Sequence, residues 1–380
     1  MTFLKTLSVF LGTVIGVGIF GLPFVAFKAG FFVIVLYFLF MASVVILIHF
    51  LYGEIVLGTK EIHRLPGYTE EYLGKKWKKA AFLIMVIGLM GALLAYLIVG
   101  GEFLFFFFSP YFGGNLILYT FLFFTLGAYF VFRGIKSISQ IELFLLIILF
   151  LLLLIFFIKA FSSINIDYLK TLNLRFLTFP YGVVLFALWG SAVIPEIKEM
   201  LVASGLKNKV IRSNLRKVIF SGIIFATFIY LFFVFTVLGA SGPNTSKEAI
   251  LGLDSAVGGN IIKLGFIFGI IACFTSFLTL ALSLKKMFWY DFGFSKNLAW
   301  ALTCFPPLIL FLFGIRKFIE VIGFTGAIAI GAEGIIIVFL YKEFLRKKFS
   351  KKMNPALYLL SGVFILGIIF EIVYFLIIRI

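Results

Sequence analysis

The sequence predicts an all-helical protein that crosses a membrane about eleven times. Hydrophobic residues make up 63% of its 380 residues and charged residues only 13%, about half the charged share of a water-soluble protein. The mean hydropathy is +1.19, so the main solvent of the chain must be lipid. Helices satisfy their own backbone hydrogen bonds in lipid, whereas open sheets do not, and the apolar runs are too continuous for barrel strands.

Each predicted span is an apolar run long enough to cross a hydrocarbon core of roughly 30 Å. The runs cover residues 6–28, 31–57, 80–108, 114–133, 139–159, 176–200, 213–239, 256–284, 297–314, 317–340 and 355–378. No stretch of soluble length separates them, which predicts one transmembrane domain over residues 1–380. The loop at residues 58–79 holds Tyr68, Tyr72 and Trp77 among its lysines and predicts a short helix anchored at the headgroups.

The net charge of +17 is explained by membrane topology and not by nucleic-acid binding. Most of the 33 basic residues, Lys136 among them, fall in loops on the side of the N-terminus, and fewer, such as Arg379, fall on the opposite side. Cytoplasmic loops collect lysine and arginine. The bias predicts a cell-membrane protein with a cytoplasmic N-terminus and an extracytoplasmic C-terminus, whose partner is the lipid bilayer.

Candidate catalytic groups are few in this sequence. Cys273 and Cys304 lie in apolar runs without metal-binding spacing, and the two histidines, His49 and His63, are isolated. No metalloprotease motif, nucleophile elbow or pair of carboxylates on one helix face is present. The sequence therefore predicts a protein that is not an enzyme and carries no cofactor.

The first span is interrupted by four glycines and a proline, Gly12, Gly16, Gly18, Gly21 and Pro23. Such a helix is expected to break inside the membrane. The break frees N–H and C=O groups, which are tolerated there only where they line a cavity or hold a ligand. Close packing of helices through small residues is the alternative explanation.

A matching interruption in the sixth span favours the break. Gly190 precedes Pro195 by the same five positions that separate Gly18 from Pro23. Spans 1 and 6 each open a set of five helices, and because five is odd the two sets run in opposite directions. Paired interruptions in two inverted halves indicate the central site of a transporter. The predicted units are residues 1–160, residues 176–340 and an added helix at 355–378.

The half-helix after the first break presents free N–H groups and a positive dipole end, which suit a carboxylate. The candidate donors are Val17, Gly18 and Ile19. Carbonyl groups at the end of the preceding half-helix suit an ammonium group. One break could therefore bind both charges of an amino acid, which we predict as the substrate.

The glycine-rich first helix with its Leu22-Pro23-Phe24 ending resembles the amino acid permeases of the amino acid, polyamine and organocation transporter superfamily. Residues 96–104 and 186–195 are similar to its amino acid/auxin permease branch, and the hydroxy/aromatic amino acid permease branch is also similar. The resemblance implies the LeuT-type fold, a five-plus-five inverted repeat with broken helices 1 and 6 and here an eleventh helix. The remaining candidates for substrate contact, on helices 3 and 6, are Tyr96, Phe186, Ala187 and Trp189.

In sodium-coupled members of that fold, backbone oxygens of helix 1 and an Ala-x-x-Thr-Ser group on helix 8 hold one ion. Ala272, Thr275 and Ser276 match that group, and their spacing puts them on one helix face. The match in helix 1 assigns the partner carbonyls to Gly12 and Ile15. The alternative is that both hydroxyl groups bond only to their own helix.

A proton-driven member could use a membrane-embedded acid instead, since such residues are costly in lipid and often functional. Glu102, Glu333 and Glu371 lie in predicted spans, and Glu102 is the best candidate for a proton carrier. A structural, hydrogen-bonded carboxyl is the alternative reading of Glu102. Lys159, the lysine of span 5, is too near the end of its helix to replace the ion, which favours sodium.

We therefore expect ion-coupled symport of a neutral amino acid by alternating access, with sodium favoured over the proton. Hydrophobic or aromatic amino acids are the candidate substrates. Two alternatives stay open at this point: a proton-coupled amino acid permease, and an amino-acid-binding membrane receptor that does not transport.

Overall fold

The computed structural model describes residues 2–134, 139–254 and 258–378. Lys136 and Arg379, which contribute to the predicted orientation, lie outside the described residues. The described residues form helices, turns and loops with no strand among them. The all-helical class is confirmed.

The described residues form fifteen α-helices, which are numbered in chain order. Their bounds are α1 Thr2–Val14, α2 Gly18–Ala29, α3 Phe31–Gly58, α4 Leu65–Leu73, α5 Lys75–Phe112, α6 Leu116–Arg133, α7 Ser139–Ala160, α8 Pro180–Leu188, α9 Ile194–Ala203, α10 Asn208–Ser241, α11 Gly259–Lys286, α12 Lys296–Leu312, α13 Phe318–Phe324, α14 Gly331–Phe349 and α15 Tyr358–Val373. π-Helical turns extend α11 and α15 and join α13 to α14, at Met287–Asp291, Tyr374–Ile378 and Thr325–Ile330. Short 3₁₀ turns lie at Phe161–Ser163, Ile166–Leu169, Leu174–Phe176, Ser191–Val193, Gly242–Asn244, Leu251–Leu253 and Pro355–Leu357.

Eight spans of the described chain are long and apolar enough to cross a membrane, and the bent pair of α1 and α2 makes a ninth. Two shorter apolar helices, Ile147–Ser163 and Lys296–Leu312, stand where the fifth and ninth spans are predicted. Each of the eleven predicted runs therefore corresponds to helical structure.

Both predicted breaks are present, but the prolines do not mark them. α1 and α2 meet at 51° across residues 15–17, and the extended Trp189 followed by Gly190 separates α8 from the turn before α9. Pro23 lies inside α2, and Pro195 lies in the first turn of α9, where its missing N–H costs no hydrogen bond. The broken helices lie together in the core, since α2 packs on α8 and both α1 and α2 pack on α10.

The helix predicted in the 58–79 loop is α4, but its tyrosines do not face the headgroups. Tyr68 and Tyr72 are buried, with Tyr68 against Tyr52 of α3 and Tyr72 against Phe344 of α14. The anchoring role predicted for these two side chains is wrong, because α4 covers the ends of α3 and α14 and turns its rings inward.

Candidate substrate and ion site

The first break leaves one predicted donor unpaired. The Ile19 N–H donates to Gly16 O over 3.3 Å, and the Val17 N–H faces the hydroxyl group of Tyr96. The Gly18 N–H has no acceptor among the described residues. Because Gly18 is the first residue of α2, its N–H also stands at the positive end of that helix, which is favourable for an anion.

The second break is capped by a histidine from α3, which sequence reasoning left without a role. The Gly190 N–H donates to Nε2 of His49 over 3.0 Å, and Nδ1 of His49 lies 2.7 Å from Val45 O. The ring is therefore neutral with its proton on Nδ1, because Nε2 is the acceptor. Its edge-on contact with Trp189, at 5.0 Å between ring centroids, holds the indole in place.

A tyrosine from α10 joins the ends of the two half-helices that precede the breaks. The Tyr230 hydroxyl lies 2.7 Å from Val14 O and 2.9 Å from Ala187 O, and its side chain is fully buried. A hydroxyl carries one hydrogen and can donate to one of these carbonyls at a time. Tyr230 thus ties α1 to α8 at the depth where both helices are interrupted.

A cavity lies between the two breaks. It is lined by Gly18, Tyr96, Phe186, Ala187 and Trp189, all of which were predicted to contact substrate. The other two predicted residues, Val17 and Ile19, are buried and do not line it. Below Tyr96, the wall contributed by α5 is apolar: it contains Met85 and Leu89 and two small residues, Gly88 and Ala92.

Sequence reasoning identified Glu333 as a costly membrane acid but did not place it in the site. Glu333 of α14 lines the cavity and is only 7% exposed. Ser191, the second residue after Trp189, donates its hydroxyl to Oε1 of Glu333 over 2.5 Å. The two residues are 142 positions apart in the chain, so only the packing of α14 against the second break brings them together.

The predicted ion ligands are brought together in part. The Ser276 hydroxyl donates to Gly12 O over 3.2 Å, so α11 and α1 meet where the resemblance places them. The Thr275 hydroxyl bonds within its own helix, to Ile271 O at 3.1 Å and Ala272 O at 3.2 Å. Ile15 is buried beside the break, and no hydrogen bond of the described chain joins it to α11.

Glu102 lies apart from the cavity. Its carboxyl group interacts electrostatically with Lys247 and Glu248, which lie between α10 and α11. Its Oε2 atom is buried and has no hydrogen-bond partner among the described residues. The structure therefore brings Glu102 near the loop between α10 and α11, and not to the two breaks.

Over residues 1–379 the sequence matches the tryptophan/tyrosine permease family. The chain belongs to this family. The permease is thus an integral membrane transporter of amino acids and not an enzyme. No curated protein sequence matches it.

Solved structures of other transporters share its fold. MhsT in complex with L-phenylalanine is 18% identical over 98% of both chains, with a TM-score of 0.64. Mhp1, a nucleobase-cation-symport-1 family transporter, is 12% identical in two states. Its closed form with bromovinylhydantoin bound covers 98% of this chain and 90% of that one at a TM-score of 0.67, and its inward-facing form covers 98% and 88% at 0.69. At these identities the likeness shows the LeuT-type fold alone.

The permease has a second, wider cavity that adjoins the first. It shares Thr13, Ala192 and Leu280 with the cavity between the breaks. It reaches the surface at Arg133 and Lys296, whose side chains are exposed. This vestibule lies on the side of the N-terminus, and four of its five charged lining residues are basic: Arg133, Lys285, Lys286 and Lys296.

Aromatic side chains fill the opposite side of the permease above the cavity. Phe20 of α2 contacts Phe103 of α5 at 4.9 Å between ring centroids and Phe233 of α10 at 6.3 Å, and Phe103 also contacts Phe266 of α11 at 5.9 Å. All four rings are buried. The cavity therefore adjoins a vestibule on one side, whereas this aromatic cluster packs around α2 beyond Gly18 and does not line the cavity.

Proposed function

We propose that this permease transports a neutral aromatic amino acid by alternating access, coupled to the movement of sodium. The observation that carries the proposal is the cavity between two broken helices, with the Gly18 N–H unpaired at its wall. A carboxylate bound there would meet a free donor and a positive helix end. The aromatic and apolar lining fits a ring-bearing side chain, as the family description also suggests.

The arrangement of the two cavities supports alternating access. In this state the site adjoins the basic vestibule, and the cluster of Phe20, Phe103, Phe233 and Phe266 separates it from the other side. Transport requires that the aromatic cluster open and the vestibule close, so that the site is reached from one side at a time. A permanently open path would instead behave as a channel.

Thermal stabilisation of the purified protein by each of the twenty amino acids, in sodium or in choline, tests the proposal. A ligand that binds the folded state raises the melting temperature by mass action. We expect stabilisation by aromatic amino acids, larger in sodium. Absence of a response to any amino acid would remove the support for an amino acid site in this cavity.

In this proposal sodium binds between α1 and α11. The proposed ligands are Gly12, Ile15, Ala272, Thr275 and Ser276. The double variant Thr275→Ala, Ser276→Ala is expected to lose sodium-dependent uptake, because it removes two of the five proposed ligands. Uptake in proteoliposomes with an imposed sodium gradient measures the effect. The control is Ser43→Ala with Thr125→Ala, since both of these exposed hydroxyl groups bond only to their own helices.

Proton coupling is the second candidate, and the buried, unpartnered Oε2 of Glu102 favours it. If the double alanine variant keeps its sodium dependence, the assigned ion site is wrong. Uptake driven by a proton gradient and lost in Glu102→Gln would then identify the proton as the coupling ion.

A further inference from the structure

We propose that Glu333 determines which aromatic side chains the permease accepts, by taking a hydrogen bond from the ring N–H or O–H group of the substrate. The inference rests on the proposed function, because it gives a residue of the same cavity a role in selecting the substrate. Its starting point is a carboxyl group that is 7% exposed and is the only carboxyl among the residues that line the described cavity.

Glu333 has an oxygen to offer to a ligand. Ser191 donates to Oε1, and no lysine or arginine of the described chain forms an ion pair with the carboxyl. The indole nitrogen of Trp189 lies near the carboxyl but is buried without a hydrogen-bond partner among the described residues. The second oxygen is therefore available as an acceptor. A carboxyl keeps an acceptor position whether it is ionised or protonated.

The surroundings of Glu333 suit the edge of a ring. Gly88 and Ala92 leave room on the α5 wall, where a Cβ atom at Gly88 would come only within 3.6 Å of Ala329. Met85, Leu89 and Ile330 complete an apolar surface around the carboxyl. With the carboxylate of the substrate at Gly18, a ring directed into this pocket would place its polar edge near Glu333.

Such a site discriminates by the cost of leaving the carboxyl unpaired. The phenol of tyrosine and the indole of tryptophan each bring a donor, whereas phenylalanine would cover the same oxygen with carbon. A site built to accept a substrate O–H or N–H strongly rejects the analogue without it. For one hydrogen bond to a charged group we expect a preference of about 10- to 100-fold in kcat/KM for tyrosine and tryptophan over phenylalanine.

The experiment measures initial uptake of tyrosine, tryptophan and phenylalanine by proteoliposomes. Glu333→Leu is expected to lose the preference, mainly through higher KM values for tyrosine and tryptophan, while phenylalanine uptake is retained. Glu333→Gln keeps an amide oxygen as an acceptor and should retain part of the preference for tyrosine and tryptophan. The matched control is Glu371→Gln on α15, a carboxyl that is 6% exposed, does not line the cavity and should leave the preference unchanged.

If Glu333→Leu lowers the uptake of all three amino acids by the same factor, the inference is overturned, because such a result indicates that Glu333 binds the ammonium group or has a structural role. If the leucine variant does not insert, Glu333→Gln is measured instead, and an equal fall in the uptake of all three amino acids in this variant overturns the inference. Equal kcat/KM values for tyrosine, tryptophan and phenylalanine in wild-type protein would also overturn the inference but would leave the proposed function in place. If wild-type protein takes up none of the three amino acids, both the inference and the proposed function are overturned.

Discussion

Replacing Gly18 with valine is expected to abolish substrate binding while leaving the permease inserted in the membrane. A Cβ atom at Gly18 would lie 3.0 Å from both Cα and Cβ of Ala187 and 3.3 Å from Cδ1 of Phe186. The valine side chain would push the two broken helices apart and cover the unpaired Gly18 N–H. Overpacking of this kind alone costs about 1–3 kcal/mol, a factor of about 5 to 150 in affinity, and the loss of the Gly18 N–H as a donor adds to it.

The measurement is stabilisation by an aromatic amino acid, titrated against wild-type protein. Gly362→Ala on α15 is the control, because a Cβ atom there meets no other atom within 4 Å. The control should bind like wild type. Normal binding by Gly18→Val would show that the substrate carboxylate does not approach the first break.

Arg64→Leu is expected to lower the free energy of unfolding by about 3–5 kcal/mol, the cost of leaving a buried charge without its partner. The Arg64 side chain is 8% exposed and donates from Nη2 to Glu196 over 2.6 Å, with Glu199 at 3.9 Å. Burial acts to lower the pKa of Arg64, but the surrounding acidic groups, Glu196 first among them, together outweigh it and raise that pKa, so the guanidinium stays charged. The pair fastens the residue before α4 to α9, the half-helix that follows the second break.

Thermal and denaturant unfolding of the purified variants would measure this loss. Arg212→Leu is the control, since the Arg212 side chain is 57% exposed and Arg216 also pairs with Glu54. That exposed pair should contribute less than about 1 kcal/mol. The double variant Arg64→Leu, Glu196→Leu should recover part of the stability, because no unpaired charge is then buried. A single variant as stable as wild type would mean that water solvates Glu196.

The sequence located the first break and much of the cavity because these depend on local backbone chemistry. Gly18 and Gly190 interrupt long apolar runs, and the backbone groups freed by a break in lipid must line a cavity or bind a ligand. The residues next to Gly190, namely Phe186, Ala187 and Trp189, could therefore be predicted to line the site. Local reasoning could not tell which N–H groups remain free. In the structure the Ile19 N–H is hydrogen-bonded and the Val17 N–H faces Tyr96. Only the Gly18 N–H of these three candidates is left for a ligand.

In the predicted ion site, too, the positions of residues along one helix could be predicted from the sequence, whereas their contacts with another helix could not. The spacing of Ala272, Thr275 and Ser276 places them on one helix face, and that follows from helical periodicity alone. Their meeting with Gly12 depends on how α11 packs on α1, and Ser276 makes that contact whereas Thr275 bonds to its own helix. Occupancy by sodium stays a prediction.

By itself the sequence determined that the chain is helical, that it lies in a membrane and where two of its helices break, because lipid allows few backbone arrangements and glycine and proline act on their own neighbours. Only the tertiary structure decided what surrounds the breaks. His49 at Gly190, Tyr230 between the two helix ends and Glu333 at Ser191 each come from a distant part of the chain. Whether such side chains meet depends on the rotation and register of packed helices, which hydropathy does not encode.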